Sequence, residues 1–296
     1  MTSRVHINQD IVVRFAPSPN GFLHLGHAYA ALTAYDYARE RGGKLLLRIE
    51  DIDLDRSRPE FVDAILADLR WLGIHWDEKV IFQSQRLDSY AEAAEQLKKM
   101  GLLYPCFCTR SSMRTVQQNK RVEEGPDGPI YPGICRELDK EKAAKRASKE
   151  PHCWRLDVEK AVLSTGNLTW HDGLRGEQAA DPAALGDVVI IPKDTPVSYH
   201  LAVTLDDARD GITHVVRGQD LFASTHIHRL LQALLMLPTP EYVHHPVLVD
   251  ATGGKLSKSR DSESLARLRE AGEDGALISS QLRNNIFPVG ITLSKA

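Results

Sequence analysis

The sequence predicts an α/β fold in which a doubly wound parallel sheet is interrupted by a small inserted α+β domain. Short apolar runs alternate with helical patterns through the first third of the chain. In the middle of the chain, prolines, cysteines and a charged run replace this alternation, and it resumes afterwards. The chain has 296 residues, 42% of them hydrophobic, which is enough for one large core or two modest ones.

The first part of the chain, residues 8–101, is expected to form one half of the sheet with its helices. Its predicted elements are a strand over 11–16, a helix over 25–41, a strand over 44–51 and helices over 59–72 and 86–100. Glycines close the first helix, and Pro59 opens the second. A strand, a helix and a strand of these lengths predict two parallel strands joined by a right-handed crossover.

The middle part, residues 102–192, is expected to be the inserted domain. The charged run over 140–149 predicts a solvated helix. Four cysteines lie in this part, and in an intracellular chain such clustering indicates a metal site more than disulfides: Cys106, Cys108, Cys135 and Cys153.

The remainder divides into a second half of the sheet, 193–250, and a loop with a short helical C-terminal region, 251–296. Alternation resumes with apolar segments over 188–191, 200–205 and 212–216, a helix over 224–237 and a strand over 243–249. This return to the earlier pattern predicts that both halves share one doubly wound sheet.

Composition excludes several classes of protein. The net charge of −3 gives no argument for nucleic-acid binding, so any RNA contact must come from local basic faces. The sequence contains no apolar run of about 18 residues and no basic-then-apolar signal pattern at its start. A cytoplasmic protein is therefore expected, and since nothing in the sequence requires a dimer, a monomer is expected too.

A single stretch, residues 14–27, follows the first strand and leads directly into the first helix. Two prolines and a glycine force a sharp turn before the helix begins. His24 and His27 are three residues apart and so share one face of the first helical turn. A helix N-terminus with imidazoles beside it suits phosphate oxygens, although the two histidines could also simply cap the helix.

Residues 14–19, Arg-Phe-Ala-Pro-Ser-Pro, and 24–27, His-Leu-Gly-His, resemble the HIGH region of class I aminoacyl-tRNA synthetases, in their glutamyl and glutaminyl branch. Residues 255–259, Lys-Leu-Ser-Lys-Ser, resemble the second signature of that class, KMSKS. The resemblance implies a Rossmann-type catalytic domain that uses ATP with Mg²⁺. It implies catalytic roles for His24, His27 and Lys258, and ATP contacts from these three residues together with Gly26 and Lys255.

Arg14 and Glu50 end the first two strands, at the edge where doubly wound sheets bind ligands. A cation beside a carboxylate suits an amino acid, but the two could equally be a structural ion pair. The resemblance implies an L-glutamate pocket formed by Arg14, Phe15, Ala16, Pro17, Ser18, Glu50, Tyr199 and Arg217. In it, Glu50 holds the α-amino group and the two arginines serve the two carboxylates, because guanidinium binds carboxylate bidentately. Which arginine serves which carboxylate stays open.

Three of the cysteines, Cys106, Cys108 and Cys135, are candidates for one structural zinc ion that needs a fourth ligand. Bare chemistry favours Cys153 or His152 for the fourth position. The glutamyl-queuosine-type synthetases carry Cys-x-Cys and Tyr-x-x-x-Cys here, and this resemblance implies Tyr131 instead. The alternative is four reduced cysteines without metal.

Glutamyl-tRNA synthetases continue beyond KMSKS into domains that read the anticodon, whereas this sequence ends soon after Ser259. It therefore resembles the glutamyl-queuosine synthetases of tRNA(Asp), which are stand-alone paralogues of the catalytic domain. The resemblance implies activation of glutamate without tRNA, then its transfer to queuosine in the anticodon loop of tRNA(Asp). Two alternatives are a truncated glutamyl-tRNA synthetase that needs a partner, and a non-catalytic regulator that binds glutamate, ATP or tRNA.

Overall fold

The computed structural model describes residues 10–119, 123–126, 128–256 and 263–295. The first part of the chain forms β1 (Val12–Phe15), α1 (Leu25–Glu40), β2 (Lys44–Ile49), α2 (Pro59–Trp71), β3 (Ile81–Phe82) and α3 (Leu87–Lys99). Strands β1, β2 and β3 pair in parallel, with Val12 opposite Lys44 and Arg48 opposite Ile81. The predicted strand–helix–strand unit is confirmed, with ends that differ by one or two residues.

The middle part forms β4 (Leu103–Cys106), α4 (Arg110–Asn119), β5 (Glu124–Gly125), β6 (Gly128–Pro129), α5 (Lys140–Ala147), β7 (Cys153–Leu156), α6 (Val158–Thr165), β8 (Thr169–Asp172), β9 (Gly176–Ala179) and β10 (Val189–Ile191). The predicted charged helix is α5. Strands β10, β7 and β4 form a separate antiparallel sheet. The segment expected to resume the main alternation, 188–191, therefore pairs within the inserted part, because an apolar run does not specify its partner strand.

The last part forms α7 (Tyr199–Arg209), β11 (His214–Gly218), α8 (Ser224–Leu234), β12 (Glu241–His245), β13 (Leu248–Val249), α9 (Leu265–Glu270), α10 (Gly275–Arg283) and β14 (Thr292–Leu293). The apolar segment over 200–205 is helical, within α7. The strand predicted over 243–249 is two strands, β12 and β13, separated at Pro246. Proline has no N–H to donate to a sheet, so the parallel pairing ends there.

The two halves form separately paired sets of strands, β1–β2–β3 in the first half and β11–β12–β8–β9 in the second, and a backbone hydrogen bond links the two sets. The backbone N–H of Thr213, just before β11, donates to the carbonyl of Val12 in β1 at 3.0 Å. Strands β11 and β12 pair in parallel, and β12 also pairs in parallel with β8 at Tyr242 and Asp172. The β8–β9 hairpin of the middle part thus belongs to the sheet of the second half, which was not predicted. Among the described residues, no helix is long and apolar enough to cross a membrane.

Because the strands pair in parallel, the carboxyl ends of neighbouring strands lie at the same edge of the sheet. Helix α1 packs on β1 and β2 through small buried side chains, including Ala28, Ala31 and Ala38, none of them more than 1% exposed. Close packing of α1 places its N-terminus above the carboxyl ends of β1 and β11, where ligands bind in doubly wound sheets.

Candidate active site

A cavity of about 690 Å³ opens at this edge of the sheet, and we call it the central cavity. It is bounded by the β1–α1 turn, the end of β2, the start of α7, the end of β11 and the turn after β13. It brings together the predicted site residues Arg14, Phe15, Ala16, Pro17, Ser18, His24, Gly26, His27, Glu50, Tyr199, Arg217 and Lys255. Lys258 lies outside the described residues.

Two histidines cap the first helix, as the simpler reading of the motif proposed. The backbone N–H of Gly26 donates to Nδ1 of His24 at 3.1 Å, and the N–H of His24 donates to Nδ1 of His27 at 3.2 Å. An imidazole that accepts at Nδ1 carries its proton on Nε2. Both rings line the central cavity. Capping therefore makes both imidazoles donors through Nε2–H, so the structural and the ligand-binding roles are compatible.

Gly26 has a steric role in this turn. A Cβ atom at this position would lie 2.9 Å from Cε1 of His24, closer than carbon atoms pack. The absence of a side chain lets the His24 ring fold over the helix N-terminus. The turn thus presents backbone N–H groups and imidazole donors to one region of the cavity, which suits phosphate oxygens.

Arg14 lies at the floor of the cavity and is 5% exposed. Its Nε donates to Oδ1 of Asp207 on α7 at 3.0 Å, and the same oxygen accepts from Nη1 of Arg48 at 2.8 Å. Burial alone would raise the pKa of Asp207, but the two guanidinium groups lower it below its ordinary value. The carboxylate orients Arg14 through Nε and leaves the outer edge of its guanidinium for a ligand.

Glu50 faces Arg48 rather than Arg14. Its Oε1 is 3.5 Å from Nη2 of Arg48, so the alternative of a direct Arg14–Glu50 ion pair is not what the structure contains. Burial raises the pKa of Glu50 to about 7, although Arg48 and Arg14 both act in the opposite direction. A cationic ligand would stabilise the ionised form of this carboxylate, because it would replace the interactions with water that burial has removed.

Arg217 ends β11 and is 6% exposed. Its Nε donates to Nε2 of His244 at 3.1 Å, and its Nη1 lies 3.3 Å from the hydroxyl of Tyr199 and 3.4 Å from Nδ1 of His228. Its Nη2 donates to the carbonyl of Leu221 and, at 2.7 Å, to the hydroxyl of Thr225. The guanidinium is thus held at every nitrogen, and every acceptor is uncharged.

Lys255 follows β13 and lines the cavity. Its ammonium group forms an ion pair with Asp220, just after β11. The next residue, Leu256, is 8% exposed and packs into the main core. Burial of that side chain fixes the end of the described segment 128–256 against the core.

A second cavity, of about 640 Å³, adjoins the central one. The two share Ser18, Asn20, Glu50 and Tyr199, while the far wall comes from the inserted part and includes Tyr131. We call it the side cleft. The shared residues place the side cleft between the Glu50 end of the central cavity and the cysteine-bearing module.

The cysteine cluster is formed by Cys106, Cys108 and Cys135, whose sulfur atoms all lie within 4.8 Å of one another. The hydroxyl of Tyr131 lies 3.4 Å from Sγ of Cys106 and 3.5 Å from Sγ of Cys108. Cys153 instead directs its thiol to the carbonyl of Cys106 at 3.6 Å.

His152 is not part of the cluster. Its Nδ1 lies 2.9 Å from the carbonyl of Glu150, and its ring packs against Phe107 and Trp154. Of the two ligands that bare chemistry favoured for the fourth position, His152 is therefore turned away, whereas Cys153 stays packed against Cys106 at the side of the cluster.

Sequence reasoning missed the residues that hold the arginines, above all Asp207 and His244. Both carried a signal. Asp207 is one of two adjacent carboxylates in an otherwise largely apolar helix, and His244 shares one face of β12 with the buried Tyr242. Ionisable groups at positions that periodicity assigns to the core are paired in folded proteins, so a partner could have been sought.

The parallel sheet and the central cavity define the catalytic domain of a class I aminoacyl-tRNA synthetase. A family model described as "tRNA synthetases class I (E and Q), catalytic domain" matches residues 10–295. The chain belongs to this family, and the protein is a ligase.

Several curated relatives carry one name. The chain is 44% identical over 278 residues to a glutamyl-Q tRNA(Asp) synthetase of Rhodobacter capsulatus, covering 90% of this chain and 97% of the relative. It is 40% identical to the glutamyl-Q tRNA(Asp) synthetase of Nitratidesulfovibrio vulgaris, covering 91% of this chain and 84% of the relative. The resemblance seen in the sequence is confirmed.

Among solved structures, the glutamate-tRNA synthetase of Elizabethkingia anophelis matches with a TM-score of 0.71 and 31% identity. The match covers 85% of this chain and 53% of that structure. The chain therefore spans about half the length of this longer relative.

Proposed function

We propose that this protein activates L-glutamate with ATP, without tRNA, and transfers the glutamyl group to queuosine in the anticodon loop of tRNA(Asp). One observation carries the proposal. Two buried arginines, Arg14 and Arg217, and the carboxylate of Glu50, whose side chain is 10% exposed, line the same cavity as a helix N-terminus that two imidazoles cap. The names of the relatives in Rhodobacter and Nitratidesulfovibrio support queuosine as the acceptor.

In the first step, an oxygen of the glutamate α-carboxylate attacks the α-phosphorus of ATP, and pyrophosphate leaves. This carboxylate is ionised at neutral pH, so the step needs no general base. The site must align the reactants and stabilise charge on phosphate oxygens. We assign this to Nε2–H of His24 and His27, the N–H groups of α1, Lys255 and Lys258. Mg²⁺ would enter with ATP, bound chiefly by phosphates.

Glutamate would lie on the floor of the central cavity. Glu50 would hold the α-ammonium group and Arg14 would hold one carboxylate, while Arg217, whose nitrogens all have acceptors within the protein, would attract the other carboxylate through its charge. Asp207 engages Arg14 only through Nε, which supports a role for the remaining N–H groups in binding a carboxylate bidentately. Phe15, Ala16, Pro17, Ser18 and Tyr199 would complete the wall.

In the second step, a hydroxyl of the queuosine cyclopentenediol attacks the carbonyl carbon of glutamyl-adenylate, its proton is lost, and AMP leaves. The acceptor needs access to the glutamate end of the cavity. The side cleft offers this access, since Glu50 and Tyr199 line both cavities. We therefore propose that the inserted part, 102–192, lies along the acceptor, with the catalytic halves at 8–101 and 193–250.

Two measurements test the proposal. Glutamate-dependent exchange of pyrophosphate into ATP is expected without any RNA. Radiolabelled glutamate should then be transferred to tRNA(Asp) that carries queuosine and not to the same tRNA lacking it, since the attacking diol is absent there. Equal labelling of both tRNAs would instead identify a terminal ribose as the acceptor, as in a truncated glutamyl-tRNA synthetase. Absence of exchange would support the regulator.

We propose that the cysteine cluster holds one structural zinc ion through Cys106, Cys108, Cys135 and Tyr131. Tetrahedral zinc with ordinary bond lengths separates two sulfurs by about 3.8 Å and a sulfur from an oxygen by about 3.5 Å. The Cys108–Cys135 sulfur separation is 3.7 Å, and the hydroxyl of Tyr131 lies 3.4 and 3.5 Å from two sulfurs. The donor set thus fits zinc, which would hold the module beside the side cleft.

Replacing Tyr131 with Phe should lower the affinity for zinc by about tenfold or more, because a ring without oxygen cannot complete the coordination shell. Competition with a chromogenic chelator would measure this. Tyr104→Phe is the matched control, since the hydroxyl of Tyr104 bonds to Asp187 at 2.6 Å. Cys153→Ser should keep zinc, and loss of the metal from that variant while Tyr131→Phe keeps it would identify Cys153 as the ligand.

The pKa of Glu50, raised to about 7 by burial, predicts that the rate of the exchange reaction falls on the acid side of its pH profile, which we call the acid limb. Below this pH the neutral carboxyl group cannot pair with the ammonium group of glutamate, so kcat/KM for glutamate should rise as the pH increases through about 7. A Glu50→Gln variant should lose activity together with this limb. Glu78→Gln, at a surface carboxylate paired with Lys44, should keep the limb unchanged. A limb that persists in Glu50→Gln would assign it to another group.

A further inference from the structure

The environment of Arg217 differs from that of two other buried arginines, Arg14 in the cavity and Arg48 behind it. Arg14 and Arg48 both contact the carboxylate of Asp207, at 3.0 and 2.8 Å. The acceptors around Arg217 are two imidazoles, two hydroxyls and one backbone carbonyl, and none is a carboxylate. A buried cation held only by neutral groups keeps a strong attraction for an anionic ligand.

One imidazole in this shell has its tautomer set by a carboxylate. Nδ1 of His244 lies 2.6 Å from Oδ2 of Asp172, and both side chains are fully buried. The carboxylate accepts, so Nδ1 carries the proton and Nε2 is left with a lone pair. That lone pair faces the N–H of Arg217 Nε at 3.1 Å. The contact requires this tautomer, because a proton on Nε2 would face another donor.

The second imidazole, that of His228, extends the hydrogen-bond network on the other side of Arg217. Nδ1 of His228 lies 3.4 Å from Nη1, and its Nε2 lies 3.3 Å from Nδ1 of His200. Since Nδ1 accepts from the guanidinium, Nε2–H donates to His200. Burial first, and the positive charge of Arg217 second, lower the pKa of His244 to about 3 and hold that of His228 well below its ordinary value. Both rings therefore stay neutral at physiological pH.

We infer that His244, His228 and Asp172 are positioning residues that hold Arg217 through neutral, tautomer-selected acceptors and so leave its charge for a carboxylate of the substrate. This inference rests on the proposed binding of glutamate. A direct carboxylate partner would orient Arg217 equally well but would compensate its charge. Asp172 acts from one imidazole further away, so it fixes the geometry with a weaker effect on the charge.

Asp172 offers an isosteric test. Its Oδ1 accepts from the backbone N–H groups of Leu174 and Arg175, at 2.9 and 3.1 Å. In Asp172→Asn, the remaining oxygen is expected to stay with these two donors, so the amide nitrogen would face Nδ1 of His244. The ring would then accept at Nδ1 and carry its proton on Nε2, where it would oppose Nε–H of Arg217 and be left with the hydroxyl of Thr225, 3.2 Å away, as its acceptor. The same exchange of tautomer is the reason that an Asp→Asn change disables a catalytic triad.

The experiment measures glutamate affinity by calorimetry and the KM values for glutamate and ATP by exchange. For Asp172→Asn we expect glutamate affinity to fall by about 10–100-fold, as when the partner behind a ligating imidazole is lost, with KM for ATP unchanged. Nitrogen NMR should show the His244 proton moving from Nδ1 to Nε2. His244→Gln keeps an acceptor near Nε2 without needing a tautomer, so adding Asp172→Asn to it should cause no further loss.

Several results would overturn the inference. One is a folded Asp172→Asn variant that binds glutamate like the wild type, and another is an unchanged tautomer together with weakened binding. If Asp172→Asn does not fold, His244→Gln and His244→Leu make the same comparison, and equal affinities in these two would also overturn it. Failure of the proposed function is distinguishable, because the wild-type protein itself would then show no glutamate-dependent exchange.

Discussion

Replacing His24 with Asn is expected to lower the rate of glutamate-dependent pyrophosphate exchange by about 10²–10³-fold, the usual cost of losing one donor to developing negative charge. The side-chain oxygen of Asn can take the place of Nδ1 and accept the N–H of Gly26, which His24 now accepts at 3.1 Å. Asn is also a preferred N-cap residue. The variant therefore keeps the helix cap and loses only the donor on Nε2.

The matched variant is His24→Gln, whose amide nitrogen reaches approximately the position of Nε2. It should keep much of the rate and lose the cap, which costs about 1 kcal/mol of stability. Thermal unfolding and exchange, measured on both variants, separate the two roles. If His24→Asn were as active as the wild type while His24→Gln were not, His24 would be a capping residue alone.

Replacing Arg14 with Gln is the second change with a large expected effect. Removing one partner of a buried, hydrogen-bonded charge pair costs about 3 kcal/mol, so kcat/KM for glutamate should fall by about 10²-fold. The KM for ATP should not change, because Arg14 lies on the side of the cavity that we propose to bind glutamate. Asp207 would keep its contact with Arg48 at 2.8 Å, which limits the damage to the fold.

Arg14→Lys is the informative control for this site. Lysine restores the positive charge but not the planar fork that contacts Asp207 and a carboxylate at the same time. We expect activity only slightly above that of Arg14→Gln, as measured by exchange at saturating ATP. Full activity of Arg14→Lys would mean that charge alone, and not bidentate geometry, recognises the substrate.

Much of the site was predictable because its parts lie in short, self-contained segments. Residues 14–27 contain a strand end, a turn and a helix cap, and each depends on neighbours within a few positions. The locations of Glu50 at the end of β2 and Arg217 at the end of β11 follow from the parallel sheet, whose strand ends share one edge. Lys258 stays a prediction, since it lies outside the described residues.

Other features depended on contacts between distant parts of the chain. Arg14 and Asp207 are 193 positions apart, and Asp172 and His244 are 72 apart. Periodicity indicates which face of a helix or strand is buried but not which element covers it. For the same reason, the sequence did not predict that β8 pairs with β12 or that β10 pairs with β7.

The sequence by itself determined the class of fold, the turn that we propose to bind phosphate and the residue types of the proposed glutamate site, because these follow from local propensity and motif. Only the tertiary structure decided the electrostatics of that site. It places a carboxylate against Arg14 and neutral imidazoles against Arg217, and it raises the pKa of Glu50 through burial. Charge compensation and desolvation depend on what surrounds a group in three dimensions, so no stretch of sequence specifies them.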